Sequence, residues 1–244
     1  MPFKNVPVIL LAGGKGTRLK PYTTFVPKPL MPIGDFPIIE VILSQLRGFG
    51  ARKVYIAVGH MAQLIQAFVG DGSKYGLEIE YSPEDAPLGT AGPIAKLRAQ
   101  LGKSETFVAM NGDVLTTLNY ARALKFHQER NPTATICLNR REVPIDFGVI
   151  ETDGEGQLVG YQEKPVFTHK VSMGVNIFSK AALDFVPDGQ FFNIPDLMLA
   201  IKNAGQKVLG FEEPCYWLDI GRVEDYSTAC EIFEQRRSEF LPNG

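Results

Sequence analysis

The sequence predicts an α/β fold, a three-layer α/β/α sandwich with helices on both faces of a mixed, mostly parallel central sheet. Three observations carry that expectation. Short apolar runs rich in Val and Ile alternate with longer stretches of helical period, the pattern of parallel strands joined by crossover helices. A long glycine- and proline-rich segment, Leu11 to Gly34, leaves the end of the first strand, where such sheets bind ligands. No internal repeat, low-complexity tract or linker-like stretch interrupts the 244 residues, so one domain over 1–244 is expected.

The elements follow in order. After a strand at Val8 to Leu11, a helix at Ile38 to Leu46 places Ile38, Val41, Ile42, Gln45 and Leu46 near one face. A strand at Val54 to Val58 follows the break at Gly48 to Arg52, completing a βαβ unit. Helix Ile65 to Phe68, strand Glu78 to Tyr81, helix Ile94 to Leu101 and the buried strand Thr106 to Met110 come next, the last ending at Asn111-Gly112-Asp113. Beyond a helix at Tyr120 to Glu129, the β-branched runs Thr133 to Leu138, Phe147 to Thr152 and Leu158 to Gln162 are close together and share a DGEG turn, which predicts hairpins. Helix Ile194 to Asn203, strand Val208 to Phe211 and a closing helix from Val223 to Arg237 complete a Rossmann-like order.

Composition excludes several classes. The 25 Lys and Arg against 27 Asp and Glu give a net charge of -2, so no broad positive field is available to hold a nucleic-acid backbone. The apolar run near the start stops at Ala12, too short for a signal core or a membrane span, and a cytoplasmic protein with no membrane partner is expected. Cys137, Cys215 and Cys230 are widely spaced and read as small hydrophobes rather than a disulfide framework or a zinc site. His60, His127 and His169 have no metal-binding spacing and read as surface or core residues.

The loop itself reads as a phosphate site. Gly13, Gly14 and Gly16 let successive backbone N–H groups converge on phosphate oxygens, while Lys15 and Arg18 add positive charge beside them. Two familiar motifs fail on spacing. No glycine is followed by Lys and then Ser or Thr, as a P-loop requires, and Leu19 occupies the third small position of a dinucleotide fingerprint.

What the segment does match is a family. LAGGKGTRLKPYT followed by PKPLMPIG resembles the signature loop of the sugar nucleotidylyltransferases, GGxGTRLxPxTxxxPKP, at every fixed position from Gly13 to Pro29. Further segments of that family follow in its order: Leu88-Gly-Thr-Ala-Gly92, Gly112-Asp113, Glu163-Lys-Pro165 and Trp217-Leu-Asp-Ile-Gly221.

The resemblance implies an enzyme that joins a nucleoside triphosphate to a sugar 1-phosphate and releases pyrophosphate. It implies Arg18, Lys28 and Asp113 as catalytic residues, and Asp113 with Asp219 as ligands of Mg²⁺. Leu11, Ala12, Gly13, Gly14, Gly16, Thr17, Glu84, Gly89 and Thr90 would bind the nucleotide, and Gly148, Glu163, Lys164, Gly174 and Asn176 the sugar phosphate. Taken singly, Asp113 and Asp219 also suit a helix cap or turn, Glu163-Lys164 an exposed charged pair, and Asn176 a buried amide.

The sugar phosphate is already an anionic nucleophile, so in-line attack needs positioning and charge neutralisation rather than a nucleophile and base pair. Glu84 bears on the base. A carboxylate only accepts, and guanine offers two adjacent donors, so Glu84 favours GTP, with Asp85 competing for that role. The Pro87 to Pro93 wording, PLGTAGP, resembles that of mannose-1-phosphate and heptose-1-phosphate guanylyltransferases, which implies mannose- or heptose-1-phosphate as the partner substrate. UTP or dTTP use, a phosphocholine-type substrate and a catalytically silent NDP-sugar-binding regulatory subunit stay open as alternatives. No hexapeptide repeats are present, so a fused left-handed β-helix is not expected, and dimerisation through the sandwich is left open.

Overall fold

The structure, a computed structural model, describes residues 3, 5–84 and 86–241. In chain order the elements are β1 (Val8–Ala12), β2 (Pro32–Ile33), β3 (Phe36–Pro37), α1 (Ile38–Gly48), β4 (Lys53–Val58), α2 (Ala62–Val69), β5 (Glu78–Pro83), α3 (Gly92–Lys96), β6 (Thr106–Asn111), β7 (Val114–Thr116) and α4 (Tyr120–Arg130). There follow β8 (Ala134–Pro144), β9 (Val149–Thr152), β10 (Leu158–Gln162), β11 (Val166–Ser179), α5 (Ile194–Asn203), β12 (Val208–Glu212), β13 (Trp217–Asp219), α6 (Val223–Gln235) and α7 (Arg237–Phe240).

Seven strands form the central sheet in the order β12-β8-β11-β6-β1-β4-β5. All are parallel except β11, which runs antiparallel to both β6 and β8. Alternation along each strand explains why the sheet is covered twice. In β1, Val8, Leu10 and Ala12 enter one core with α1, α2, α4 and α6, while Ile9 faces the other, built from α3, α5 and the turn at 180–185. Strands β4 and β6 divide in the same way, through Val54, Ile56, Val58, Val108 and Met110 on one face and Tyr55, Phe107 and Ala109 on the other.

This topology positions a site. Strands β1, β4, β5 and β6 are parallel, so their carboxyl ends and the loops leaving them share one edge of the sheet. β1 is flanked by β4 on one side and β6 on the other, and the crevice above that change of direction is where open α/β sheets accept ligands.

Three expectations about elements are corrected. The helix read at Ile94 to Leu101 is α3 alone; after Lys96 the chain tightens into turns with Leu97 N–H on the Ile94 carbonyl at 3.1 Å and Arg98 N–H on the Ala95 carbonyl at 3.0 Å. Leu97 and Leu101 stay buried all the same, which is why their spacing reads as helical. Of the expected hairpins only β9–β10 forms, across the turn where Asp153 Oδ1 accepts from Glu155 and Gln157 N–H at 3.0 and 2.9 Å. β8 bypasses its neighbour in sequence and pairs with β11 and β12, a long-range choice made by core burial rather than loop length. The closing helix is broken at Arg236 into α6 and α7.

Candidate active site

The loop after β1 is ordered by its own side chains. Gly16 has φ 59°, a left-handed conformation that glycine adopts without penalty, and a Cβ there would stand 2.9 Å from Thr23 Cγ2. Thr23 closes the loop, its hydroxyl donating to the Gly16 carbonyl at 2.8 Å. Pro27 and Pro29 frame Lys28 in a tight turn, with Leu30 N–H on the Pro27 carbonyl at 2.8 Å and Met31 N–H on the Lys28 carbonyl at 3.1 Å. Lys28 is thereby buried and aimed inward, and its Nζ donates to Asp113 Oδ2 across 85 positions of sequence.

The second carboxylate arrives through a small sheet. β7 and β13 pair antiparallel with Asp219 opposite Val114, which sets Asp219 beside Asp113, and Ile220 N–H reaches the Asp113 carbonyl at 3.4 Å. Burial, and then the charge of Asp113, raise the Asp219 carboxyl above its ordinary range, while Lys28 and Arg18 pull the other way. Asp113 Oδ1 is buried with no hydrogen-bond partner among the described residues. Gly221 lies within van der Waals reach of both Asp219 and Arg18, since a Cβ on it would be 3.2 Å from Asp219 Oδ2 and 3.7 Å from the Arg18 guanidinium. Trp217 steadies this corner by donating its indole N–H to the Met173 carbonyl at 2.9 Å.

Arg18, Lys28, Asp113 and Gly221 open onto a cleft of about 720 Å³ above the carboxyl ends of the parallel strands, and Asp219 stands beside Asp113 outside its lining. Leu11, Ala12, Gly13, Gly14, Gly16, Thr17, Arg18, Lys28, Glu84, Gly89, Thr90 and Asp113 all line it. Glu84 follows β5 and is held where its Oε2 accepts from Leu88 N–H at 3.3 Å; a Cβ on Gly13 would lie 2.5 Å from its Oε1. Burial raises the Glu84 carboxyl, opposed by the Leu88 N–H and Lys96. Asp85 lies outside the described residues.

The sugar-side residues are arranged differently. Gly148, Glu163 and Lys164 sit on the arm that carries β9 and β10, outside the lining of the cleft. Tyr161 donates to Glu163 Oε2 at 3.1 Å, and Gly148 lies against both side chains. Lys164 has φ 44°, a strained conformation for a non-glycine residue of the kind found at functional sites. Gly174 sits against the Asn111 side chain at an irregularity in β11 and borders the cleft through Asn111.

Asn176 lies apart from the cleft, as a buried amide would. It is 1% exposed, opposite Ala109 and Ile136 within the sheet, and does not open into the cleft. His60 is the reverse case: expected at the surface or in the core, it lines the cleft after β4, its backbone N–H on the Gly13 carbonyl at 3.3 Å. Asn111, Gly59, Phe191 and Asn193 also line the cleft and were not singled out from sequence. Strand-end position could have flagged Asn111, Gly59 and His60; nothing local marks Phe191 or Asn193.

The family model described as Nucleotidyl transferase matches residues 7–236. A mannose-1-phosphate guanylyltransferase of Mycobacterium tuberculosis is 34% identical over 230 residues, 93% of this chain and 64% of the relative. A UTP–glucose-1-phosphate uridylyltransferase of Synechocystis is 33% identical over 235 residues, 89% of this chain and 61% of the relative. The chain thus spans under two thirds of the length of these two curated relatives. Among solved structures, HddC from Yersinia pseudotuberculosis superimposes with a TM-score of 0.71 at 24% identity, over 93% of this chain and 99% of that one. No described helix is long and apolar enough to cross a membrane.

Proposed function

Because the chain belongs to the nucleotidyl transferase family, we propose that it transfers a nucleotidyl group from a nucleoside triphosphate to a sugar 1-phosphate, releasing pyrophosphate. The observation that carries the reading is the convergence of Arg18, Lys28 and Asp113 on the cleft, with Asp219 beside Asp113 and the glycine loop along the cleft wall.

An oxygen of the sugar phosphate attacks the α-phosphorus in line; the new P–O bond forms as the bond to the β-phosphate oxygen breaks, and the electron pair leaves with pyrophosphate. No residue has to form a covalent intermediate. Repulsion between the two anions is the main obstacle, and Arg18 and Lys28 offset it on the nucleotide side. Lys164, with Glu163 accepting from sugar hydroxyls and Gly148 and Gly174 leaving room for the ring, serves the acceptor side.

Mg²⁺ fits the paired carboxylates. Asp113 presents a buried, unpartnered oxygen and Asp219 is destabilised as an anion by burial and by Asp113, the environment that a hard divalent cation relieves. Bound there, the ion would neutralise phosphate charge and stabilise the charge that develops on the transferred group.

Glu84 supports guanine as the base, since a carboxylate can accept from guanine's two adjacent donors. Mannose- or heptose-1-phosphate is favoured as the acceptor by the resemblance of the 87–93 turn and by the mannose-1-phosphate guanylyltransferase relative. The uridylyltransferase relative keeps UTP as the second reading. A matrix of nucleoside triphosphates against sugar 1-phosphates, read by pyrophosphate release, decides between them. Turnover fastest with GTP is expected; faster turnover with UTP or dTTP overturns the guanine assignment, and no release with any pair overturns the reaction.

A further inference from the structure

We propose that Phe191 is the platform on which the nucleobase stacks, so that the base is held by an aromatic face as well as by the carboxylate of Glu84. The inference rests on the nucleotidyl-transfer reading above and deepens it.

Exposed apolar side chains scattered singly over a surface need no explanation. Phe191 differs in its location. It is 63% exposed, and among the described residues it is the only exposed large hydrophobic side chain that lines the cleft; Tyr22 and Phe25 in the loop after β1 are exposed but line no part of it. Its neighbour Phe192 packs against the second core, whereas Phe191 enters neither core and pairs with no other aromatic ring among the described residues.

The backbone under Phe191 is fixed. Phe192 N–H donates to the Leu88 carbonyl at 3.0 Å, and Ala91 and Gly92 N–H donate to the Phe192 carbonyl at 2.8 and 3.2 Å. Ile194 N–H is capped by Thr90 Oγ1 at 2.8 Å. These four bonds zip residues 192–194 to the glycine turn at 88–92, so closely that a Cβ on Gly89 would lie 2.5 Å from the Phe192 carbonyl oxygen. An exposed ring is thus held on a rigid backbone beside the turn that Glu84 also touches, through Leu88 N–H.

The two contacts are complementary in kind. A carboxylate reads hydrogen-bond donors in the plane of a base, and an aromatic ring takes the face perpendicular to that plane. Stacking tolerates any base and gains with ring area, so it favours purines over pyrimidines without reading their edges.

The test compares wild type, Phe191→Ala and Phe191→Trp for binding of GTP, UTP and inorganic tripolyphosphate by calorimetry, with no sugar phosphate present. Phe191→Ala is expected to weaken GTP roughly five- to hundredfold and UTP less, and to leave tripolyphosphate unchanged. Phe191→Trp is expected to restore GTP affinity, with indole fluorescence quenched on binding. Since Phe191 is exposed, Phe191→Ala should melt with wild type. GTP affinity equal to wild type in Phe191→Ala overturns the proposal, as does equal loss of GTP and tripolyphosphate, which would make Phe191 a support for the loop. A wild type that binds none of the nucleotides overturns the nucleotidyl-transfer reading instead.

Discussion

Lys28 shows how one side chain can be committed by sequence neighbours and by distant ones together. The flanking prolines restrict the backbone on both sides, and Asp113, supplied from the end of β6, supplies the charge that Nζ meets. Removing that charge should cost catalysis far more than stability. We expect Lys28→Met to lower kcat by about 10²–10³-fold, the scale of losing one preorganised group at developing charge, while its melting temperature stays within a few degrees of wild type. Steady-state kinetics beside a thermal melt checks this, and a kcat within tenfold of wild type would remove Lys28 from the catalytic set. The lysine was legible in the sequence through its place in the family's signature loop. Its pairing with Asp113 was not, because 85 positions of sequence and five strands separate the two before the pairing of β1 with β6 brings them together.

At the scale of elements, the loop between β1 and α1 behaves as a pre-formed cradle. Thr23, which the sequence presents only as a fixed position of a pattern, acquires a physical role through its bond to the Gly16 carbonyl. Thr23→Val keeps the shape and deletes the hydrogen bond, at a cost of about 1 kcal/mol. Loss of loop order should raise KM for the nucleoside triphosphate several-fold with a smaller change in kcat; an unchanged KM would mean that the loop holds its form without Thr23. The elements whose periodicity was long, α1, α4 and α5, were readable to within a few residues. Asn119 accepting from Arg122 N–H at 3.1 Å and Asn131 at φ 46° mark the two ends of α4 as a cap and a left-handed stop. β8 was misread because strands choose partners by which face they bury, and a short loop fixes a hairpin, as in β9–β10, only when no better partner lies across the sheet.

The whole molecule buries groups that no local rule exposes. His127, on α4, is 2% exposed beneath β8 and β11, its Nδ1 within 2.9 Å of Thr135 Oγ1 and its Nε2 3.4 Å from Ser179 Oγ. Burial lowers its pKa to about 4, well below the ordinary value near 6.5. The unfolded chain therefore binds a proton that the folded chain refuses between those values, so stability falls as pH drops from about 6.5 toward about 4 and is unaffected by this group above that window. Denaturant unfolding at pH 7.5 and pH 5 should show the fall, and His127→Gln should flatten the part of it that depends on this ring. An equally steep fall in His127→Gln would assign the acid sensitivity to other groups.

What the sequence determined by itself was the layered α/β class and the glycine-rich loop at a strand end; the ordered segments that carry Arg18, Lys28, Glu84, Asp113 and Asp219 were legible through their resemblance to a family. Each is local: a glycine spacing, a framed lysine, a carboxylate at the end of an apolar run. Tertiary structure decided the rest. It turned Asn176 into the sheet, brought His60 and Phe191 to the cleft, set Asp113 against Lys28 and Asp219, and placed Gly148, Glu163 and Lys164 on an arm outside the lining of the cleft. The reason is physical: strand order and register depend on which faces can be buried together, a property of the whole sheet that no window along the chain contains.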